Sequence, residues 1–222
     1  MISFAAVHLA LYVFAMIGSW KNNASQKLWD QQTSIAFRGL DTEAALDLLL
    51  ALNIARHPDD LLPLHGARLR RTHGRGKKRW SMAVNDRWHI RFDFRKSNAF
   101  DVKIVGKNSG EKHVAKPGPK RVAKADTKTP VVHPGRFLRR ELRARHLSAN
   151  RLALDVGVPS GRIIDILNAR RAITADTAVR LGRYLGTSAQ FWLDLQSQFD
   201  IAVVERNKGA EISRLIRVAD AA

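Results

Sequence analysis

Two stretches of this sequence hold side chains whose types and spacing could act on phosphate. In the first, Arg68, Arg70, Arg71, Arg75, Lys77, Lys78 and Arg79 crowd around Gly74 and Gly76, a density of cations suited to RNA. His73 lies among them and His89 follows. Histidine carries protons near neutral pH, so these two are the candidate acid–base groups, set against the plainer reading of a structural or solvated imidazole. The second stretch is SANRLALDVGVPSGRIIDILNARR, residues 148–171. Two short helical segments meet there at Gly157, and the second shows polar side chains early while burying Ile163, Ile166 and Leu167.

That second pattern is a helix-turn-helix, in which one helix braces on the DNA backbone and the next enters the major groove. Ser160, Gly161, Arg162 and Asp165 fall where bases would be read, with Arg162 the best match to guanine. Asn168, Arg170 and Arg171 follow the helix and suit phosphates, which position a protein without reading sequence.

The elements that must carry these groups divide the 222 residues in two. Residues 21–37 and 41–56 read as helices; Thr42 or its competitor Asp41 caps the second, and Ala45, Leu48, Leu49, Leu52 and Ala55 repeat at helical spacing. Arg79 to Asn85, Trp88 to Phe94 and Phe100 to Val105 alternate as strands of a small antiparallel sheet. Residues 106–132 lack any period, are rich in Gly, Pro and Lys, and read as a flexible linker. Residues 133–206 hold five helices: one from His133-Pro134-Gly135 to about Arg145, one capped by Ser148, one with Pro159 in its first position, one capped by Thr174, and one from Ser188 through Glu205. Trp192, Leu195 and Phe199 are spaced for core or dimer packing, and the arginines of 136–145 for a solvated face. The fold class is therefore α+β, two helices on a small sheet, followed by an all-α five-helix domain.

Lysine and arginine number 38 against 20 acids, a formal charge of +18, which argues for an anionic partner. The linker is the densest part, net +5 in 27 positions. With no cysteine, disulfides, thiolate metal sites and cysteine nucleophiles are excluded, no cofactor is implied, and a reducing cytoplasm, on the nucleoid, is the expected compartment. Ile2 to Ile17 carry no charge. They lack the basic flank of a secretory signal and are shorter than a membrane span, and Met16 offers an alternative start, so no membrane partner is expected.

From His133 to Val203 the sequence resembles the HigA-type antitoxins of bacterial toxin–antitoxin modules. His133-Pro134-Gly135, Gly157-Val158-Pro159, Arg162-Ile163, Ile173-Thr174-Ala175-Asp176-Thr177-Ala178, Gly186-Thr187-Ser188 and Phe191-Trp192-Leu193-Asp194-Leu195-Gln196 carry the likeness. Ala169 departs from it, where the family usually has glycine. The resemblance implies a homodimeric repressor of its own promoter, bound to a palindromic operator. Residues 16–105 resemble the HigB toxins of the RelE-like superfamily through Arg68-Leu69, Gly74, Trp80-Ser81, Val84-Asn85, Trp88, Ile90, Phe92 and Ala99-Phe100-Asp101-Val102. That likeness implies a ribosome-dependent mRNA endonuclease. The family's closing Asp-Tyr-His is here Gly106, Lys107 and Asn108, which removes proton carriers that RNA cleavage needs. The expected molecule is thus a fusion with domains at 16–105 and 133–206, the antitoxin half held against the toxin-like half by the tether. Its expected activity is repression rather than catalysis, with an endonuclease restrained by its own tail as the alternative.

Overall fold

The computed structural model describes residues 17–32, 35–64, 68–72, 79–95, 97–107 and 131–216. Residues 1–16, most of the linker (108–130), and His73, Arg75, Lys77 and Lys78 lie outside the described residues.

The first half is built on two helices. Helix α1 (Asn23–Gln31) starts where the Asn22 side chain accepts from the Ser25 amide and ends where Gln32 turns left-handed at φ 55°, six residues short of the sequence expectation of a helix to 37. Helix α2 (Thr42–Ile54) is capped by Asp41, which accepts from the Ala44 amide at 2.9 Å; the carboxylate outcompetes Thr42 because it also meets the positive end of the helix. The strands β1 (Arg70–Thr72), β2 (Arg79–Ala83), β3 (Trp88–Arg95) and β4 (Asn98–Gly106) form one antiparallel sheet in chain order. Asn85 accepts from the amides of Arg87 and Trp88, closing the β2–β3 turn. Residues Ile17 and Trp20 bridge in parallel to Ala99 and Val102 on the free edge of β4. One face of the sheet, with Met82, Ile90, Phe92, Val102 and Ile104, packs against Leu28, Trp29 and α2.

Five helices follow: α3 (Pro134–Ala144), α4 (Ala149–Asp155), α5 (Ser160–Leu167), α6 (Ala175–Leu185) and α7 (Ala189–Leu215). Ser148, Thr174 and Ser188 cap α4, α6 and α7 as expected, each accepting from the amide three residues on. His133 caps α3 through a ring nitrogen that accepts from Gly135. Pro159 is the residue before α5 rather than its first. Helix α7 continues ten residues past Glu205, since neither Gly209 nor the exposed charges of that stretch halt it. Phe137, Phe191 and Trp192 meet edge-to-face, with centroids 5.5–5.9 Å apart, around a core that includes Leu138, Leu152, Ile163, Ile166, Leu181 and Leu195. Trp192 and Leu195 are fully buried within the chain, whereas Phe199 stacks its edge on His133 at 4.8 Å.

The two halves share α2. Every residue from Ala45 to Ile54 is buried; α2 packs on α1 and β4 and on α7, and arginines of α3 reach its first turns. The joint is ionic as well as apolar. Arg136 donates through Nε (2.8 Å) and Nη2 (2.5 Å) to the buried Asp47 and lies 3.5 Å from Glu43, while Arg140 donates to the Ala44 carbonyl at 2.7 Å. Arg145 ties the carbonyls of Pro63 and Leu185 together. Of the arginines of 136–145, Arg136, Arg139, Arg140 and Arg145 are therefore half-buried and engaged, and Arg143 alone is exposed. At the linker's two ends, Gly106 completes β4 and Val132 joins the core.

Candidate nucleic-acid interface

Helices α4 and α5 meet at Gly157, whose φ of 66° favours a residue with no side chain. Arg180 fixes this turn by donating to the carbonyls of Val156 and Gly157. Helix α5 buries Ile163 and Ile166 completely and leaves Ser160, Gly161, Ile164 and Asn168 exposed. At its far end Ala169 is left-handed, at φ 57°. The Ala169 and Arg170 amides return to the carbonyls of Ile166 and Asp165, which closes the helix with a two-bond terminal turn. This is the position where the family pattern has glycine, and alanine accepts the turn at a conformational cost.

The expected base-reading set does not stay together. Ser160 and Gly161 stand open at the start of α5, and a Cβ built on Gly161 meets nothing within 4 Å. Arg162 points elsewhere: its Nη1 is 2.9 Å from an Asp176 carboxylate oxygen in the first turn of α6, and Arg180 holds the other oxygen at 2.9 Å. Those two guanidiniums and their hydrogen bonds hold the Asp176 carboxyl below its ordinary range. Arg162 thus ties α5 to the first turn of α6 in this structure. Asp165 is half-buried and pairs with Arg170 at 3.2 Å. Asn168 accepts from Arg139, which also donates to the Leu167 carbonyl at 2.6 Å, so Asn168 belongs to the brace as well. Arg170 and Arg171 are exposed beside the end of the helix.

Sequence reasoning passed over Asp176, Arg180, Arg139 and Ile164. The first three act across 14 to 29 residues of chain, beyond any local pattern. Ile164 was within reach, because it follows Ser160 by four positions and shares its helical face.

On the sheet, the cations divide. Arg70, Ser81, Arg91 and Lys103 lie directly across from one another on the four strands, giving a cationic row on the face away from α1 and α2. His89 is one pair along on the same face. Burial, then the nearby charges of Arg91, Lys107 and Arg70, push its pKa below the ordinary histidine value, and its Nδ1 is buried without a hydrogen bond. Among the described residues, the other cations expected to bind RNA do not join this row. Arg71 alternates to the opposite face, 6.0 Å from the Trp80 ring, Arg79 lies 3.6 Å from the buried Asp93, and Arg68 sits 3.6 Å from Asp86. Arg91, unremarked in the sequence, stands at the centre of the row.

The helix-turn-helix family model matches residues 138–192. The chain is also 46% identical over 80 residues to Virulence-associated protein I of Dichelobacter nodosus, covering 36% of this chain and 74% of that protein. It is 33% identical over 100 residues to the HTH-type transcriptional regulator YbaQ of Escherichia coli, covering 44% of this chain and 88% of that protein. The chain belongs to the helix-turn-helix family. Among solved structures, it is 39% identical to an addiction module antidote protein of the HigA family from Coxiella burnetii, over 41% of this chain and all of that one, with a TM-score of 0.40. The matched helix-turn-helix region begins inside α3 and ends inside α7, so the sheet and α1 and α2 lie outside it.

Proposed function

We propose that this protein is a sequence-specific DNA-binding repressor, an antitoxin of the HigA type fused behind a domain of RelE-like toxin ancestry. The observation that carries the reading is the exposed face of α5. A short helix is anchored on its inner side by Ile163 and Ile166, braced by Arg139 and the Asp176 cluster, and left open along Ser160, Gly161 and Ile164. A helix held this way is ready to enter the major groove without rearrangement. Arg170 and Arg171 beside it supply phosphate contacts. A homodimer would present two such helices to half-sites about 34–36 Å apart.

The N-terminal module acts in this reading as a cis partner, held on α3 through Asp47 and carrying no working nuclease. Gly106 ends β4 where the family's acid–base residues would begin. Footprinting with the full chain on the DNA upstream of its own gene, with a reporter driven by that DNA, tests the proposal. Protection of a two-fold symmetric site and repression of the reporter are expected; uniform, salt-labile coating of the DNA without a protected site would refute it.

One observation favours the endonuclease alternative. His89 is held neutral beside a cationic row, the state a general base requires. Induced expression of the full chain with mapping of mRNA 5′ ends decides it: cuts that vanish in His89→Gln would support catalysis, and an unchanged end profile would exclude it.

A further inference from the structure

The outward face of α5 carries a reader of a different chemistry from the one its arginine suggests. Successive residues of an α-helix turn by about 100°. On that wheel Ser160 and Asn168 lie within about 40° of Ile164 and Gly161 within about 60°, while Arg162 is about 160° away. Burial agrees with the wheel. Ser160, Gly161 and Asn168 are exposed and Ile164 is 37% exposed, whereas Ile163 and Ile166 on the far side are at 0%. Ile164 therefore keeps over a third of its surface open to water at the middle of a helix whose other isoleucines are fully covered. The one cation within the helix is turned away and held by Asp176 at 2.9 Å, so the open face offers a hydroxyl, a bare backbone and a branched alkyl group. Gly161, where an added Cβ would meet nothing within 4 Å, lets the helix approach a groove wall closely.

Among the four base pairs, the major groove presents one apolar group, the C5-methyl of thymine. We propose that Ile164 is a specificity-determining residue that packs on a thymine methyl, and that this protein therefore selects a T·A pair at the position facing the middle of α5 in each half-site. The proposal rests on the DNA-binding reading above and names what that site recognises. Arg162 and Asp176 act as positioning residues, setting the depth and tilt at which Ile164 meets the bases.

The test begins with selection of the full-length protein's preferred site from a random duplex library. In the selected site, each thymine is then replaced singly by uracil, which deletes the methyl and leaves the pairing unchanged. Loss of one buried methyl corresponds to about a fourfold loss of affinity, expected at one position per half-site for the wild-type protein and absent for Ile164→Ala. Ile164 is partly exposed and outside the fully buried core, so Ile164→Ala is expected to stay folded, which a thermal melt checks, and the uracil series on wild-type protein needs no variant at all. A selected site at which no uracil substitution weakens wild-type binding overturns the role of Ile164 while leaving DNA recognition intact. So does a uracil effect of equal size in Ile164→Ala. A library that returns no enriched sequence overturns the repressor reading and this proposal together.

Discussion

The helix-turn-helix domain and the central row of the sheet arrange their positive charge differently. In the domain nearly every arginine near the recognition helix already has an internal partner: Arg136 on Asp47, Arg139 on Leu167 and Asn168, Arg145 on two carbonyls, Arg162 and Arg180 on Asp176. On the sheet, Arg70, Arg91 and Lys103 share a row across the strands, and the field of Arg70, Arg91 and Lys107 bears on His89. A formal charge of +18 is therefore a poor measure of what is available to phosphate. Guanidiniums that clamp carbonyls are part of the scaffold, and in the domain the exposed Arg170, which also pairs with Asp165, and the exposed Arg171 are the two proposed for phosphate.

The strongest way to break this contrast is at the joint between the two halves. Asp47→Ala removes the buried carboxylate to which the part-buried Arg136 donates twice and should destabilise the full chain by about 3 kcal/mol, read as a fall in the midpoint of denaturant unfolding. The next comparison sets one arginine from each region side by side. Arg139→Ala removes two hydrogen bonds at the end of α5 and should cost about 1–2 kcal/mol, while Arg91→Leu on the sheet should leave stability within about 0.5 kcal/mol of wild type or raise it. Equal losses from the two would erase the distinction.

Acid sharpens the same contrast. Burial lowers the pKa of both His89 and His133, in the second case against a small opposing pull from Asp200. Each therefore binds protons more weakly in the folded chain than at the ordinary histidine value of about 6.5. The unfolded chain takes up protons first, so stability holds above that value and declines as pH falls below it, until the folded-state values are passed. Thermal melts from pH 8 to pH 5 should show a flat region and then a drop. His133→Asn, which keeps a capping side chain, should remove the His133 share and His89→Gln the other. The smallest effect expected is at Ala169, where φ is 57°: Ala169→Gly should raise stability by about 0.5 kcal/mol, the left-handed penalty of alanine less the added chain entropy of glycine. A lower melting temperature would contradict that assignment.

What the sequence made legible follows from how far each determinant acts. The caps at Ser148, Thr174 and Ser188 and the glycine turn at Gly157 are decided within three or four residues, and each falls where the pattern places it. Strand β1 was missed because Arg70–Thr72 has no apolar alternation; it forms by pairing with β2. The apolar face expected on α2 proved to be only part of its burial, since Leu46, Leu50 and Ile54 are buried too and α2 packs on α7 as well as on the sheet. Distance along the chain also hid the ion pair of Arg162. Its partner Asp176 lies in the next helix, and local spacing alone could not tell a guanine reader from a brace.

The account stands on α5 recognising DNA in a sequence-dependent way, and competition measures that most directly. Full-length protein is titrated by fluorescence anisotropy onto labelled upstream DNA, across a range of salt, against unlabelled upstream or scrambled duplex. The account predicts that scrambled DNA competes at least about a thousandfold less well, and that Arg170→Ala or Arg171→Ala each lowers the salt slope by about one without changing sequence preference. Equal competition by the two duplexes would contradict it.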